Sequence, residues 1–184
     1  MSLGLSPERK KQILWVGVIL CAVVLADQVT KALVIAHIPE NSESLASHQG
    51  EFFWLTHQRN TGLVGGMFRE NNIVPYLAPL FATVVLVYLF GHLDPTSRWQ
   101  AVAYGLVAGG AIGNLIDRFR LGSVTDFLQF HFYFVPVDFP WKLYPAFNVA
   151  DSAICVGVVA LIILTWRHSH SEECQGNTHA ANAD

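Results

Sequence analysis

Apolar residues in this chain gather in four long blocks instead of alternating with polar ones. Residues 13–36 are apolar up to Ala26 and are then interrupted by Asp27 and Lys31. Residues 73–91 and 99–116 hold no charge, and residues 145–166 hold one, Asp151. Each block approaches the roughly 20 residues a helix needs to cross about 30 Å of hydrocarbon. Helices of water-soluble domains keep one polar face, so such charge-free runs are rare in them. The pattern predicts a membrane all-α bundle of four transmembrane helices, with residues 1–166 as one domain. Two long segments, 37–72 and 117–144, fall on one side of the membrane, and a short loop, 92–98, on the other. The first contains a strand-like run, Phe52-Phe53-Trp54-Leu55-Thr56, and a glycine-rich turn over 62–66. The second borders a stretch, 126–147, with nine aromatic residues among its 22 positions. Such crowding suits the headgroup level of a bilayer or a small extramembrane core. Residues 167–184 are polar and predict a disordered tail.

Composition agrees with lipid as the solvent: 52% of the 184 residues are hydrophobic and 14% charged, against about 25% charged in soluble domains. The net charge of −3 and the lack of a polybasic block leave no reason to expect a nucleic-acid partner. Cys21 and Cys155 lie in apolar runs, as buried thiols would, and Cys174 lies in the tail; no disulfide framework or CxxC pattern emerges. His168, His170 and His179 belong to a solvated tail more naturally than to a metal site. Arg9-Lys10-Lys11 before the first block permits two readings, a cleavable secretory signal ending before Asp27 or a retained first helix. Counting that cluster, with the N-terminus inside, the basic residues on the two sides balance at five each. The cluster before the first helix therefore sets the topology, with both termini cytoplasmic.

With that topology the conspicuous polar residues near helix ends all fall on the outer side. Asp27 and Lys31 are one helical turn apart, a spacing that fits a self-neutralising pair with Lys31 snorkelling to the interface. Gly105, Gly109 and Gly113 form a small-residue face for close helix packing. Asn114 and Arg118 share a side of the same helix, and Asn148 and Asp151 share a side of the next. Arg118 either binds a carbonyl or pairs with Asp117. Ionisable groups at membrane depth are costly and point to function. With no Ser-His-Asp spacing, no HExxH and no phosphate-binding loop, the available chemistry is that of paired carboxylates, one keeping a proton while the other acts as base. Spacing alone does not say which aspartates meet.

Several segments together resemble one family. Asp27-Gln28-Val29-Thr30-Lys31 resembles the DQxTK motif of lipoprotein signal peptidases (signal peptidase II), and Asn60-Thr61-Gly62 their NxG segment. Gly109-Gly110-Ala111-Ile112-Gly113-Asn114-Leu115-Ile116-Asp117-Arg118 with Gly122-Ser123-Val124-Thr125-Asp126-Phe127 resembles their GGAxGNLxDRxxxGxVxDF block. Phe147-Asn148-Val149-Ala150-Asp151-Ser152 resembles FNxADS. The resemblance implies a catalytic dyad of Asp126 and Asp151, supported by Asp27, Lys31, Asn60, Gly62, Asn114, Arg118 and Asn148, with no metal or other cofactor. It implies a retained first helix, a small outer β-sheet and a lid-like helix. It further implies diacylglyceryl-modified prolipoproteins as substrates, cut on the amino side of the lipidated cysteine, at the outer face of a bacterial inner membrane. Membrane lipid as surroundings, cyclic peptide inhibitors of the globomycin type and a monomeric state belong to the same expectation. The chain departs from the family pattern at residues 63–68 and through an apparent insertion at 134–141. Two other classes compete: a small proton-coupled transporter, with polar groups spread through the membrane depth, and a scaffold built on the glycine face.

Overall fold

The computed structural model describes residues 5–43, 52–62, 81, 84–86, 88–132, 137 and 142–181, with side chains as far as Arg167. Three long helices frame it: α1 (Pro7–His37), α2 (Arg98–Leu121) and α3 (Val149–Ala181). A two-stranded antiparallel sheet of β1 (Phe53–Asn60) and β2 (Val124–Phe130) joins them at one end. The chain is thus mostly helical with a small sheet. Most of the expected 73–91 helix lies outside the described residues; Phe81, 84–86 and 88–90 within it are helical. The 62–66 turn beyond Gly62 and most of the 134–141 insertion also lie outside them. Among the described residues of the two outer segments there is a sheet and no separate lid helix.

Among the described residues, two helices are long and apolar enough to cross a membrane, Pro7–His37 and the Val149–Arg167 part of α3. Ser6 caps α1 by accepting from Arg9 N at 3.2 Å, with Pro7 at the first helical position, where its missing N–H costs nothing. At 31 residues α1 is about 46 Å long, enough to span the hydrocarbon and project beyond it. Its outward face carries Leu14, Trp15, Val18, Leu25 and Val29, and α3 likewise exposes Val156, Val159, Ile162 and Trp166. Cys21 and Cys155 are exposed with them. The expectation that they are buried is corrected: with lipid as solvent, an apolar position is as much at home outside as inside.

α2 packs against both α1 and α3, and glycine makes this possible. A Cβ at Gly105 would stand 2.9 Å from Ile19 Cβ, and one at Gly109 2.8 Å from Val23 Cβ. Helix backbones approach this closely only where side chains are missing. At the opposite end from the sheet, Arg9 Nη1 donates to Phe90 O at 3.2 Å and Gln12 Nε2 to Asp94 O at 2.9 Å. The start of α1 and the 92–98 loop therefore lie together. α3 continues past Arg167 to Ala181, through most of the 167–184 segment. No proline interrupts that stretch, and extending an existing helix is far easier than nucleating one.

Candidate active site

Gly122 ends α2 in the left-handed conformation, φ 71°, its N–H bonded to Arg118 O at 3.0 Å. That turn sends the chain directly into β2, which carries Asp126. β1 pairs with β2 so that Gln58 faces Asp126 and Asn60 faces Val124. Asn60 is therefore diagonal to Asp126 on the same sheet face, within side-chain reach, and its Nδ2 donates to Asp126 Oδ2 at 3.0 Å. A register irregularity between Leu55 and Gln58 adjusts this alignment. On the other edge of β2, Phe127 N and Leu128 N both donate to Phe147 O, at 3.0 and 2.8 Å. Phe147 is thereby pinned to the strand, and the next residue, Asn148, arrives beside Asp126.

Asn148 opens α3 as its N-cap. Its Oδ1 accepts from Asp151 N at 2.9 Å, while Asp151 Oδ2 accepts from Asn148 N at 3.2 Å. This reciprocal pair is a capping box with Asp in place of Glu. It holds the Asp151 carboxylate at the positive end of the helix. The same Asn148 side chain donates from Nδ2 to Asp126 Oδ1 at 2.8 Å. One buried amide thus touches both aspartates. Asn114 completes the ring: its Nδ2 donates to Asp151 Oδ1 at 2.7 Å, and its Oδ1 accepts from Asn148 Nδ2 at 3.1 Å and from Lys31 Nζ at 2.9 Å.

Lys31 does not snorkel. At 2% exposure it sits between Asp27, 2.9 Å away and wholly buried, and Asp117, 3.2 Å away. A buried ammonium needs such partners to offset its lost hydration, and the expectation of an outward-reaching Lys31 is corrected on that ground. Asp27 Oδ1 also accepts from Ala150 N at 3.0 Å, satisfying one of the unpaired amides of the α3 N-terminus. Arg118, buried, binds carbonyls, Gly62 O at 3.1 Å and Asn114 O at 3.5 Å; Asp117 turns to Lys31 instead. Gly62 N in turn donates to Asn60 Oδ1 at 3.0 Å. All nine residues singled out in the sequence therefore belong to one connected network.

Two further members were not among those candidates. Asp117 accepts from Lys31, from Thr125 N at 3.0 Å and from Gln28 Nε2 at 3.1 Å; Gln28 also donates to Asp27 Oδ2 at 3.2 Å. Both stand inside the quoted motifs, and that was the signal available. His131, a lone imidazole in sequence, stacks on Trp54 with centroids 4.0 Å apart, away from this network. Burial, helped by the neighbouring Asp151 charge, pushes the Asp126 carboxyl up to about 7; hydrogen bonds from Asn60 and Asn148 and the Lys31 charge work the other way. Such a group holds a proton near neutrality, which suits acid–base chemistry. Asp126 is buried and Asp151 half-buried, so the pair is enclosed without being sealed.

Comparison with known proteins agrees with this chemistry. A family model described as signal peptidase (SPase) II matches residues 19–167. The lipoprotein signal peptidase of Syntrophotalea carbinolica is 40% identical over 156 residues, 79% of this chain and 86% of that protein. That of Anoxybacillus flavithermus is 35% identical over 92% of this chain and 98% of its own length. Two solved structures described as bacterial membrane enzymes have TM-scores of 0.69 and 0.66, each at 29% identity, over 84% and 82% of this chain and 88% and 91% of theirs. A match of this extent, running through every segment that builds the network, means that the chain belongs to the signal peptidase II family of bacterial membrane proteases.

Proposed function

We propose that this protein is a membrane aspartyl endopeptidase that removes signal peptides from diacylglyceryl-modified prolipoproteins, with Asp126 and Asp151 as its catalytic pair. The observation that carries the assignment is Asn148, which joins the two aspartates where the sheet meets the start of α3. Its side chain donates to the Asp126 carboxylate and accepts from Asp151 N, and its backbone N–H donates to the Asp151 carboxylate. Two neighbouring carboxyls do not both ionise readily, so the pair keeps one proton at neutral pH. The ionised member takes a proton from water, and the oxygen adds to the scissile carbonyl. The protonated member gives its proton to the carbonyl oxygen. As the resulting diol collapses and the C–N bond breaks, the member that took the water's proton delivers it to the leaving amine, and the other recovers a proton from the diol hydroxyl. Asp126, raised to about 7 by burial and the neighbouring Asp151 charge, lets the pair hold its proton near neutrality, and the two carboxyls share that proton as a unit. Asn60, Asn114 and Asn148 hold the carboxyls in place, while Asp27 and Lys31 brace them from inside.

The substrate's diacylglyceryl chains stay in lipid, each buried CH₂ contributing about 0.8 kcal/mol. The bond on the amino side of the lipidated cysteine is therefore delivered at the headgroup level, which suits a site built at helix ends. The full arrangement in this reading has four spanning helices in the inner membrane, residues 73–91 and α2 joining the two apolar ones. Both termini are cytoplasmic and the site opens outward. The protein acts as a monomer amid lipid and binds cyclic peptides of the globomycin type. A transporter reading requires polar groups through the membrane depth, whereas the ionisable residues of the network collect at one end of the helices. A scaffold reading leaves the buried carboxylates without a purpose.

The test follows release of signal peptide from diacylglyceryl-modified prolipoprotein by purified enzyme. Asp126→Asn and Asp151→Asn each keep size and most hydrogen bonds but lose proton transfer, which contributes about 10²–10⁴-fold per group. Either should abolish turnover in a folded protein, and the double variant should be little worse than the singles, because the two act as a unit. Near wild-type turnover in either folded single variant would remove the aspartyl mechanism.

A further inference from the structure

We infer that Asp117 is a positioning residue for the cleavage reaction, holding Asp126 and Asp151 at their working separation from the interior side of the site; this rests on the dyad reading above. Asp117 is 2% exposed and touches neither aspartate. Two arms lead from its carboxylate. One is short: Oδ2 accepts from the backbone N–H of Thr125 at 3.0 Å, the residue immediately before Asp126. The other runs through Lys31, 3.2 Å from the same oxygen, to Asn114 Oδ1 at 2.9 Å, and from Asn114 Nδ2 to Asp151 Oδ1 at 2.7 Å. Lysine has donors only, so it turns the Asn114 amide with oxygen inward and nitrogen toward Asp151. A single carboxylate therefore connects the strand that carries one aspartate with the amide that orients the other.

The position demands an acid. Asp117 meets three donors, Lys31 Nζ, Thr125 N and Gln28 Nε2, and only a carboxylate accepts on both oxygens. An asparagine there would aim its NH₂ group at another donor. The charge matters as well. Among the described residues, the charged and titratable groups around the network are Asp27 and Lys31 from α1, Arg59 from β1, Asp117, Arg118 and Arg120 from α2, Asp126 from β2 and Asp151 from α3. Removing the Asp117 charge leaves Lys31 opposed by Asp27 alone among its two ion-pair partners. The surplus positive field then favours ionised aspartates, so the pair surrenders its shared proton at lower pH.

The experiment uses the full-length enzyme in detergent with a diacylglyceryl-modified prolipoprotein as substrate. Asp117→Asn should lower kcat by about 10- to 100-fold through misplaced groups, leave KM within about twofold, and move the alkaline limb of the kcat profile to lower pH. Asp117→Glu keeps the charge and should keep the limb where it is, even with kcat reduced. Wild-type kcat in Asp117→Asn, or a reduced kcat with the limb unmoved, overturns the inference. Should Asp117→Asn fail to fold, Gln28→Leu removes one donor from the same carboxylate. It should lower kcat several-fold at unchanged KM, and wild-type kinetics there would overturn the inference too. Asp126→Asn and Asp151→Asn run alongside: if they cleave, the dyad reading fails; if they are silent while Asp117→Asn cleaves normally, only the role of Asp117 fails.

Discussion

Lys31 is one cation shared by two buried carboxylates, 2.9 Å from Asp27 and 3.2 Å from Asp117. Lys31→Met leaves both acids without it, and breaking a buried pair in this way costs about 3–5 kcal/mol. Thermal unfolding in detergent should show a large drop in Tm; an unchanged Tm would mean that the ion pairs contribute nothing. Asp27→Asn keeps its shape and should weaken stability without silencing cleavage, since Asp27 reaches Lys31 and Ala150 N and no group of the dyad. Asp126 supplies a pH signature. Its carboxyl, raised from 3.8 to about 7, binds a proton more tightly folded than unfolded. The resulting stability is complete below about 4 and is lost as pH rises through about 7. Activity should follow the same alkaline limb, because above it the pair has no proton to donate. Asp126→Asn should flatten stability across that interval, and a slope as steep as wild type would refute the assignment. At this scale the sequence was informative about identity and silent about contact. DQxTK and FNxADS singled out Asp27, Lys31, Asn148 and Asp151. Nothing in either motif says that Asn148 touches both aspartates, or that Lys31 turns inward.

The helices are held together by what their glycines lack. A Cβ at Gly113 would lie 2.6 Å from Asp27 Oδ2, while one at Gly17 would meet nothing within 4 Å. Gly17→Ala should therefore be neutral or stabilising by up to about 1 kcal/mol, the ordinary helix preference. Gly109→Ala, forced against Val23, should cost about 1–3 kcal/mol through overpacking. Gly113→Ala should lose activity as well, because it displaces the carboxylate that holds Lys31 and the α3 N-terminus. Melting curves and turnover of the three variants check the order, and equal behaviour would deny the close packing. The i, i+4 glycine spacing was legible, since a small-residue face reads directly from helical periodicity. The strand was legible in part: the aromatic run marked its start, but β1 extends to Asn60 because β2 supplies partners for Gln58, Arg59 and Asn60. Pairing of that kind lies between residues far apart in the chain, where local pattern carries no information.

Across the whole molecule, the proposed topology puts the sheet end outside and the 92–98 loop inside. A membrane-impermeant maleimide applied to intact cells should label Asn41→Cys and leave Thr96→Cys and Cys174 unlabelled; the reverse pattern would invert the protein. Cys21 and Cys155 face outward from apolar helices and, within lipid, should stay silent to the same reagent. Paired-aspartate hydrolysis uses no metal, so cleavage in detergent should survive exhaustive chelation; loss with EDTA and recovery with zinc would refute it. The chain by itself determined that lipid is the solvent, that α1 and the first part of α3 are apolar enough to span it, and that the motifs belong to signal peptidase II. Each of these is carried by composition or by residues adjacent in sequence, where hydropathy and helical spacing act locally. Only the tertiary structure decided which polar groups meet: Asp126 on a strand, Asp151 at a helix start, Asn114 and Asp117 on a second helix, Lys31 on a first. Away from water, each charge and amide must find a protein partner or carry its desolvation cost uncompensated. The pairing that satisfies them all at once depends on how α1, α2, α3 and the sheet pack around one point.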